Sequence, residues 1–348
     1  MQVTTSMPIA TLNEVGPAAL AAEAAGFDGV ATMENSNNPF LPLAIAATTT
    51  ERVQLMTGIA IAFARSPMTV ANISHDLQLA SGGRFKLGLG SQVKGHNERR
   101  FSAPWTPPAP RMREYVQALR AIWRCWENDE PLNFTGEHYN FTLMTPHFVP
   151  EKTNLPMTPI TIAAVGPAML RVAGQYCDGA QLHPFCTRRY VEEVVMARIS
   201  AGMAQSKLTR ENFEISGGGF IVTGPDQETV DKIFEYVRYR VAFYGSTRSY
   251  WPVFELHGLM DLGAKLHRLV KDGKWDDLAC EVSDDVVHLF AAVGRHDEIA
   301  KAIEARFGGV SDTVQAIAAP DATPDLTPDL IQDIQKIDSP FKGFATSW

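Results

Sequence analysis

The residues of this 348-residue chain best placed for chemistry stand directly behind apolar stretches. Ile160–Val165 (ITIAAV) runs straight into Gly166, Pro167, Ala168 and Met169. Glycine permits an unusual backbone conformation, and a proline at the first helical position gives up no useful N–H. The amides of Ala168 and Met169 would then open a helix without partners inside it, where a phosphate oxygen can be held. The competing reading is a plain strand-to-helix turn. Phe85–Gly90 (FKLGLG) leads into Ser91 and Gln92, small and polar enough for a ligand to approach the backbone. The charged run behind them, with Lys94, Arg99 and Arg100, would meet an acidic ligand or form a solvated face. His183 closes a third stretch, GAQLH, as a hydrogen-bonded structural group or as a group that touches substrate or cofactor. Glu34 and Asn35 follow FDGVAT. Glu34 reads as an acid/base group if partly desolvated, or as a carboxylate that caps the next helix.

These residues need a scaffold, and the chain supplies one in a regular tempo. Apolar β-rich runs at the N-terminus, Phe27–Thr32, Val53–Ile61 and Phe85–Leu89 alternate with helical stretches at Leu12–Ala25, Pro39–Thr50 and Pro67–Ser81. The rhythm resumes with a helix over Arg111–Glu127, strands at Ile160–Ala164, Gly179–Leu182, Phe213–Val222 and Val310–Ile317, and helices between them. Counting the N-terminal fragment gives eight strands, which favours a closed (β/α)8 TIM barrel over an open sheet. Ligands then sit at the strand C-terminal ends, where every residue named above falls. The barrel domain is read as residues 1–319, with insertions at 128–159 and 245–285. Residues 320–348 form a C-terminal tail, rich in proline and aspartate, that packs on the barrel.

The formal charge of -8 argues against a nucleic-acid partner. No apolar stretch is long enough for a membrane span, and the N-terminus lacks the pattern of a secretory leader. Cys125, Cys177, Cys186 and Cys280 form no C-x-x-C pair, so reduced thiols and a cytoplasmic setting are expected. There is no metal-ligand spacing, no G-x-S-x-G elbow and no Walker loop. LGLGSQ lacks the third glycine of a dinucleotide fingerprint.

Taken in order, GFDGV, TGIAIAFARSP, SGGRFKLGLGSQ and AAVGPAMLRVAGQYCDGAQLHPF resemble the bacterial luciferase-like superfamily. AFARSP, LGLGSQV, AFYGST and ELHG are similar to its branch dependent on coenzyme F420. The resemblance implies an oxidoreductase that transfers a hydride between the deazaflavin and a small organic substrate, in a homodimer. The alternatives are a monooxygenase using FMN and oxygen, and a non-catalytic flavin-binding barrel. It further implies a strand bulge with a non-proline cis peptide at Gly58–Ile59 behind the coenzyme ring. Asn35 and Glu34 stand where relatives place polar residues near that ring, and no histidine accompanies them in ENSNNPF. Lys94, Arg99 and Arg100 would then face the coenzyme's acidic tail. Phe40, Phe63, Trp105, Phe185, Tyr244, Tyr250 and Trp251 are candidates for aromatic pocket walls or for core packing.

Overall fold

The computed structural model of the chain describes residues 1–7 and 11–345. Its centre is a ring of parallel strands. β1 is Gln2–Ser6, β2 Gly29–Thr32, β3 Gln54–Thr57 with a continuation at Ala60–Ile61, and β4 Phe85–Gly90. β5 is Ile160–Ala164, β6 Gly179–Leu182, β7 Glu214–Gly217 and β8 Thr313–Val314. Each strand pairs with the next in the chain, and β8 returns to β1, so the eight close into a (β/α)8 barrel.

The helices follow from local sequence. α1 is Val15–Ala25, α2 Phe40–Thr49 and α3 Pro67–Ala80. Ser66 starts α3 by accepting the Met68 N–H at 3.3 Å, and Gly82 and Gly83 end it with φ of 62° and 91°. α4 is Lys94–Arg100 and α5 Pro108–Asn128. α5 buries Met112, Tyr115, Val116, Leu119, Ile122, Trp123 and Trp126, a stripe at helical spacing. α6 is Pro167–Tyr176 and α7 Met196–Met203. They cross with almost no gap: a Cβ on Gly174 would lie 2.2 Å from the Ile199 carbonyl oxygen, and one on Gly202 would lie 2.4 Å from that of Arg171. α8 is Gln227–Gly245, α9 Met260–Lys271, α10 Ile299–Phe307 and α11 Pro328–Gln335.

Two details differ from the sequence reading. Phe213–Val222 is two strands, because Gly217 and Gly218 take φ of 75° and 93° and turn the chain out of β7. The second piece, Phe220–Val222, pairs with Ala291–Val293, a strand too short to register in the pattern. The insertion at 245–285 holds the 12-residue helix α9 beside its shorter turns.

The barrel interior is polar at one end. Lys86 of β4 reaches across to Glu214 of β7, with Nζ 2.7 and 2.6 Å from the two carboxylate oxygens. Both side chains are 1% exposed. Thr313 of β8 donates its hydroxyl to the same carboxylate at 2.5 Å. Below this pair the C-terminal segment covers the N-terminal end of the barrel. Asp312 accepts from the Ser339 hydroxyl and the Phe341 N–H, and the Phe344 ring lies 5.7 Å from Lys86 Nζ. The Met1 ammonium donates to the Ile337 carbonyl at 2.6 Å. The C-terminal segment thus makes contacts with the barrel as far as Phe344, and residues 346–348 lie outside the described residues.

Replacing Lys86 by methionine strands a buried carboxylate. Lys86→Met should cost about 3–5 kcal/mol in denaturant unfolding, and adding Glu214→Leu should recover much of it. An unchanged unfolding midpoint for the single variant would show that the pair carries no structural weight.

Candidate functional site

At the C-terminal ends of β2 to β4 a linked set of contacts builds one wall. Glu34 leaves β2 and meets Arg65, whose two terminal guanidinium nitrogens donate to its two oxygens at 2.7 and 2.8 Å. The Ile61 N–H donates to the same carboxylate at 2.7 Å, and the Glu34 N–H donates to the Ile59 carbonyl at 3.2 Å. The Glu34 side chain is 6% exposed. With both oxygens engaged, Glu34 braces the end of β3 rather than standing free for proton transfer. It does not cap α2 either; Asn38 Oδ1 takes the Phe40 N–H at 2.8 Å.

The peptide bond between Gly58 and Ile59 is cis and separates β3 from its continuation. The Ile59 side chain lies over Gly90, where a Cβ would come within 2.5 Å of its Cδ1. A Cβ on Gly88 would lie 1.9 Å from the Thr57 carbonyl oxygen and 2.2 Å from Gln181 Nε2. The space that Gly88 leaves is filled by the Gln181 amide, which donates to Thr161 Oγ1 at 2.8 Å and to the Thr57 carbonyl at 3.2 Å. Gly88 and Gly90 thus make room for the Gln181 amide and the Ile59 side chain, which a larger residue at either position would displace. Gln181 was not among the residues singled out from sequence. Its alternate-residue spacing with His183 on β6 was the available signal.

Behind β4 the loop is held by itself. The Ser91 carbonyl accepts from the buried Asn97 side chain at 2.9 Å. Gln92 has φ of 56°, and its Oε1 accepts the Val93 N–H at 2.8 Å, which draws its amide back onto the loop. Arg100 donates to the Asn35 carbonyl and lies over the Phe101 ring. Lys94 sits 3.9 Å from Glu98, and the Arg99 guanidinium folds back towards Gly95. Arg84 covers the strand end: it donates to the carbonyls of Ala47, Thr50, Val53 and Ser81.

Val165 is half-buried at the end of β5, and Gly166, Pro167 and Ala168 are exposed. The first bond inside α6 runs from the Leu170 N–H to the Gly166 carbonyl at 3.1 Å, so the amides of Ala168 and Met169 precede it. No side chain caps this end. Gly166 has φ of -85°, and a Cβ there would meet nothing within 4 Å. Any residue therefore fits Gly166 in the free protein, and the open space at the helix start is the feature its glycine preserves.

His183 follows β6 inside an aromatic group supplied from α8 and the insertion. Its ring is edge-on to Tyr244 at 4.4 Å and tilted against Tyr250 at 4.6 Å. The Phe185 N–H donates to its Nδ1 at 3.0 Å, which leaves the proton of the neutral ring on Nε2. Burial, reinforced by the nearby Arg240 charge, lowers the His183 pKa to about 4. Burial, then Tyr244, raises that of Tyr250 to about 12. The loop is pinned from outside by Arg306 of α10, which donates to the carbonyls of Cys186 and Gly218 at 2.6 and 2.8 Å. His257 instead meets the Thr187 hydroxyl at 2.8 Å. Of the other aromatic candidates, Phe40, Phe63 and Phe185 are core, while Trp105 and Trp251 are half-buried.

Glu114, Glu137 and His138 come together, but Glu114 accepts the N–H groups of Glu137 and His138 at 3.2 and 2.8 Å and so fastens the hairpin of Phe134–Thr135 and Asn140–Phe141. Cys125, Cys177 and Cys186 are buried thiols and Cys280 is exposed. Among the described residues, no helix is long and apolar enough to cross a membrane.

The model of the luciferase-like monooxygenase family matches residues 1–313. The chain belongs to that family. An uncharacterised protein of Mycobacterium tuberculosis is 46% identical over 306 residues, spanning 88% of this chain and 90% of that one. A second protein of the same organism, named as a putative coenzyme F420-dependent oxidoreductase, is 28% identical over 301 residues, covering 81% of this chain and 84% of its own length. Among solved structures, the coenzyme F420-dependent tetrahydromethanopterin reductase of Methanopyrus kandleri superposes with a TM-score of 0.75 at 18% identity and covers 97% of both chains. That likeness concerns the barrel and its insertions. Members of the family are oxidoreductases and monooxygenases, and the site described here lies on the face where a barrel carries its chemistry.

The His183 geometry has a measurable consequence. With its pKa depressed to about 4, the folded protein resists protonation while the unfolded chain takes up a proton near 6.5. Stability should be level above about pH 6.5 and fall as the pH drops towards 4, a dependence that His183→Gln should reduce. Imidazole NMR should place the His183 midpoint below 5; a midpoint near 6.5 would contradict the burial seen here.

Proposed function

We propose that the chain is an oxidoreductase that binds coenzyme F420 across the ends of β3 to β6 and acts on a small organic substrate. The observation that carries the reading is the placing of three elements on one face: the glycine-lined end of β3 and β4, the open start of α6, and the neutral His183. The 28% identical relative named for coenzyme F420 supports a deazaflavin. The family's monooxygenase description supports the alternative, FMN with oxygen in the same site.

The residues present fit such a group. Ala168 and Met169 would hold its phosphate through their amides, with Val165, Gly166 and Pro167 shaping the approach. Gly58, Ile59, Ser91 and Asn35 would border its ring by backbone. When bound, the deazaflavin supplies the hydride chemistry at its ring carbon. The protein's own part is orientation and proton placement. Neutral His183 offers Nε2–H to an oxygen of the substrate, stabilising negative charge there without carrying a charge itself. Tyr244, Tyr250 and Phe185 keep water from that ring. Glu34 acts through Arg65 and Ile61 as a positioning residue.

Titration with each coenzyme tests the reading. F420 should bind at least about tenfold more tightly than FMN, a difference of about 1.4 kcal/mol. Gly166→Val should weaken coenzyme binding without lowering the melting temperature, because nothing in the free protein occupies that space. Equal or reversed affinities would move the protein to the FMN reading, and unchanged binding by a folded Gly166→Val would place the phosphate elsewhere. Turnover of no substrate with either coenzyme bound would favour a non-catalytic barrel.

The same reading includes a homodimer. Leu41 and Leu79 are exposed on α2 and α3, and Leu20 on the neighbouring α1. A barrel helix needs one apolar stripe, so these positions supply a second face for a two-fold copy. Light scattering should give twice the 38.2 kDa chain mass, and Leu41→Lys should shift it towards the monomer. A strictly monomeric wild type, with coenzyme bound, would overturn this part.

A further inference from the structure

Beside the start of α6 a groove of about 440 Å³ runs along the outside of the barrel between α5 and α6. Ala168, Arg171, Val172 and Gln175 line it at positions i, i+3, i+4 and i+7, one face of the helix. Arg113 of α5 and Arg198 of α7 enter from the two sides. Among the described residues, Arg171 and Arg198 have no acidic group within ion-pair distance, and Arg113 has only Glu114 at 3.9 Å, itself engaged by two backbone amides. Three cations thus converge on a groove in a protein whose net charge is -8.

From Pro167 to Tyr176 the groove follows about 14 Å of helix at 1.5 Å per residue. Ala109, Pro110, Val172 and Tyr176 also line it and give it apolar surface that can carry a methylene chain between charges. A single phosphate would need one cluster. A row of cations over this length, above an apolar floor, fits a flexible chain with carboxylates spaced along it. The groove begins at Pro167 and Ala168, the residues that open the candidate phosphate site, so one molecule can occupy both. Of the cations that sequence placed at an acidic tail, Lys94 and Arg99 stay within their own loop and Arg100 donates to the Asn35 carbonyl of the loop after β2.

We infer that Arg113, Arg171 and Arg198 form a subsite for the γ-linked oligoglutamate tail of the deazaflavin coenzyme. The inference rests on the coenzyme reading above and adds to it a selectivity for tail length. Exposed ion pairs are individually weak, so the gain is shared over several and screened by salt.

The test compares coenzyme carrying several glutamates with the form that carries none, on wild type and on Arg171→Glu/Arg198→Glu, by fluorescence titration at low and high salt. The long-tailed form should bind wild type more tightly, and the double reversal should weaken it by about three- to tenfold while leaving the tail-free form unchanged. The difference should shrink at high salt. Equal affinities of the two forms for wild type, or a reversal without effect on the long-tailed one, would overturn the subsite while the coenzyme reading stands. Free tetra-γ-glutamate, titrated by NMR, needs no ring site. If F420 itself fails to bind, peptide binding abolished by the reversal supports the subsite apart from that reading, and its absence overturns it. Arg171→Gln/Arg198→Gln serves if the reversed variant misfolds, with a smaller loss expected in the same direction.

Discussion

The rest of the barrel is arranged around one buried ion pair, Lys86 with Glu214. Neither side chain reaches water, and each would be costly to bury alone. The ammonium is held by both carboxylate oxygens, and Thr313 adds a hydrogen bond, so the charges are satisfied only when β4, β7 and β8 stand in register. The pair therefore sets which residues of these strands point inwards. On β4 that register puts Gly88 and Gly90 above Lys86, and on β6 the Gln181 amide occupies the space over Gly88.

The two ends of the barrel are unlike for the same reason. At the N-terminal end, Asp312 gathers Arg210, Ser339 and the Phe341 N–H, and the C-terminal segment closes over the charged pair. At the C-terminal end the strands stop in glycines and loops. What holds those loops in place is mostly hidden. The Gly174–Gly202 crossing fixes α6 against α7, so the open helix start cannot drift. Arg306 ties the His183 loop to the turn after β7 from the outside. The rigidity of the site belongs to contacts that no ligand would touch.

Charge is distributed by purpose across this face. Glu34 and Arg65 neutralise each other, and their geometry goes into bracing β3. His183 is kept uncharged by burial among Tyr244, Tyr250 and Phe185, which makes it a hydrogen-bond donor through Nε2 and a poor carrier of a second proton near neutral pH. Arg113, Arg171 and Arg198 stand outside the barrel, on α5, α6 and α7. A dry, nearly neutral centre beside an open helix start and a cationic border suits a ligand with a planar reactive end and an anionic remainder.

The sequence by itself determined the features that arise from neighbours along the chain. The alternation of apolar runs and helices gave the barrel, and the Gly166-Pro167 step announced an uncapped helix, because strand period, proline and glycine act within a few residues. The luciferase-like motifs were legible in the same way, being short and ordered. Tertiary structure decided what depends on distant partners. Lys86 meets Glu214 across 128 positions, and Glu34 meets Arg65 across 31, with nothing local to announce either. The fate of the cations was likewise undecided: in one conspicuous charged run Arg99 folds back onto its own loop and Arg100 reaches the Asn35 carbonyl, whereas Arg113, Arg171 and Arg198 come from three separate helices. Their convergence follows from how closely α5, α6 and α7 pack, a property of the assembled surface that no single segment carries.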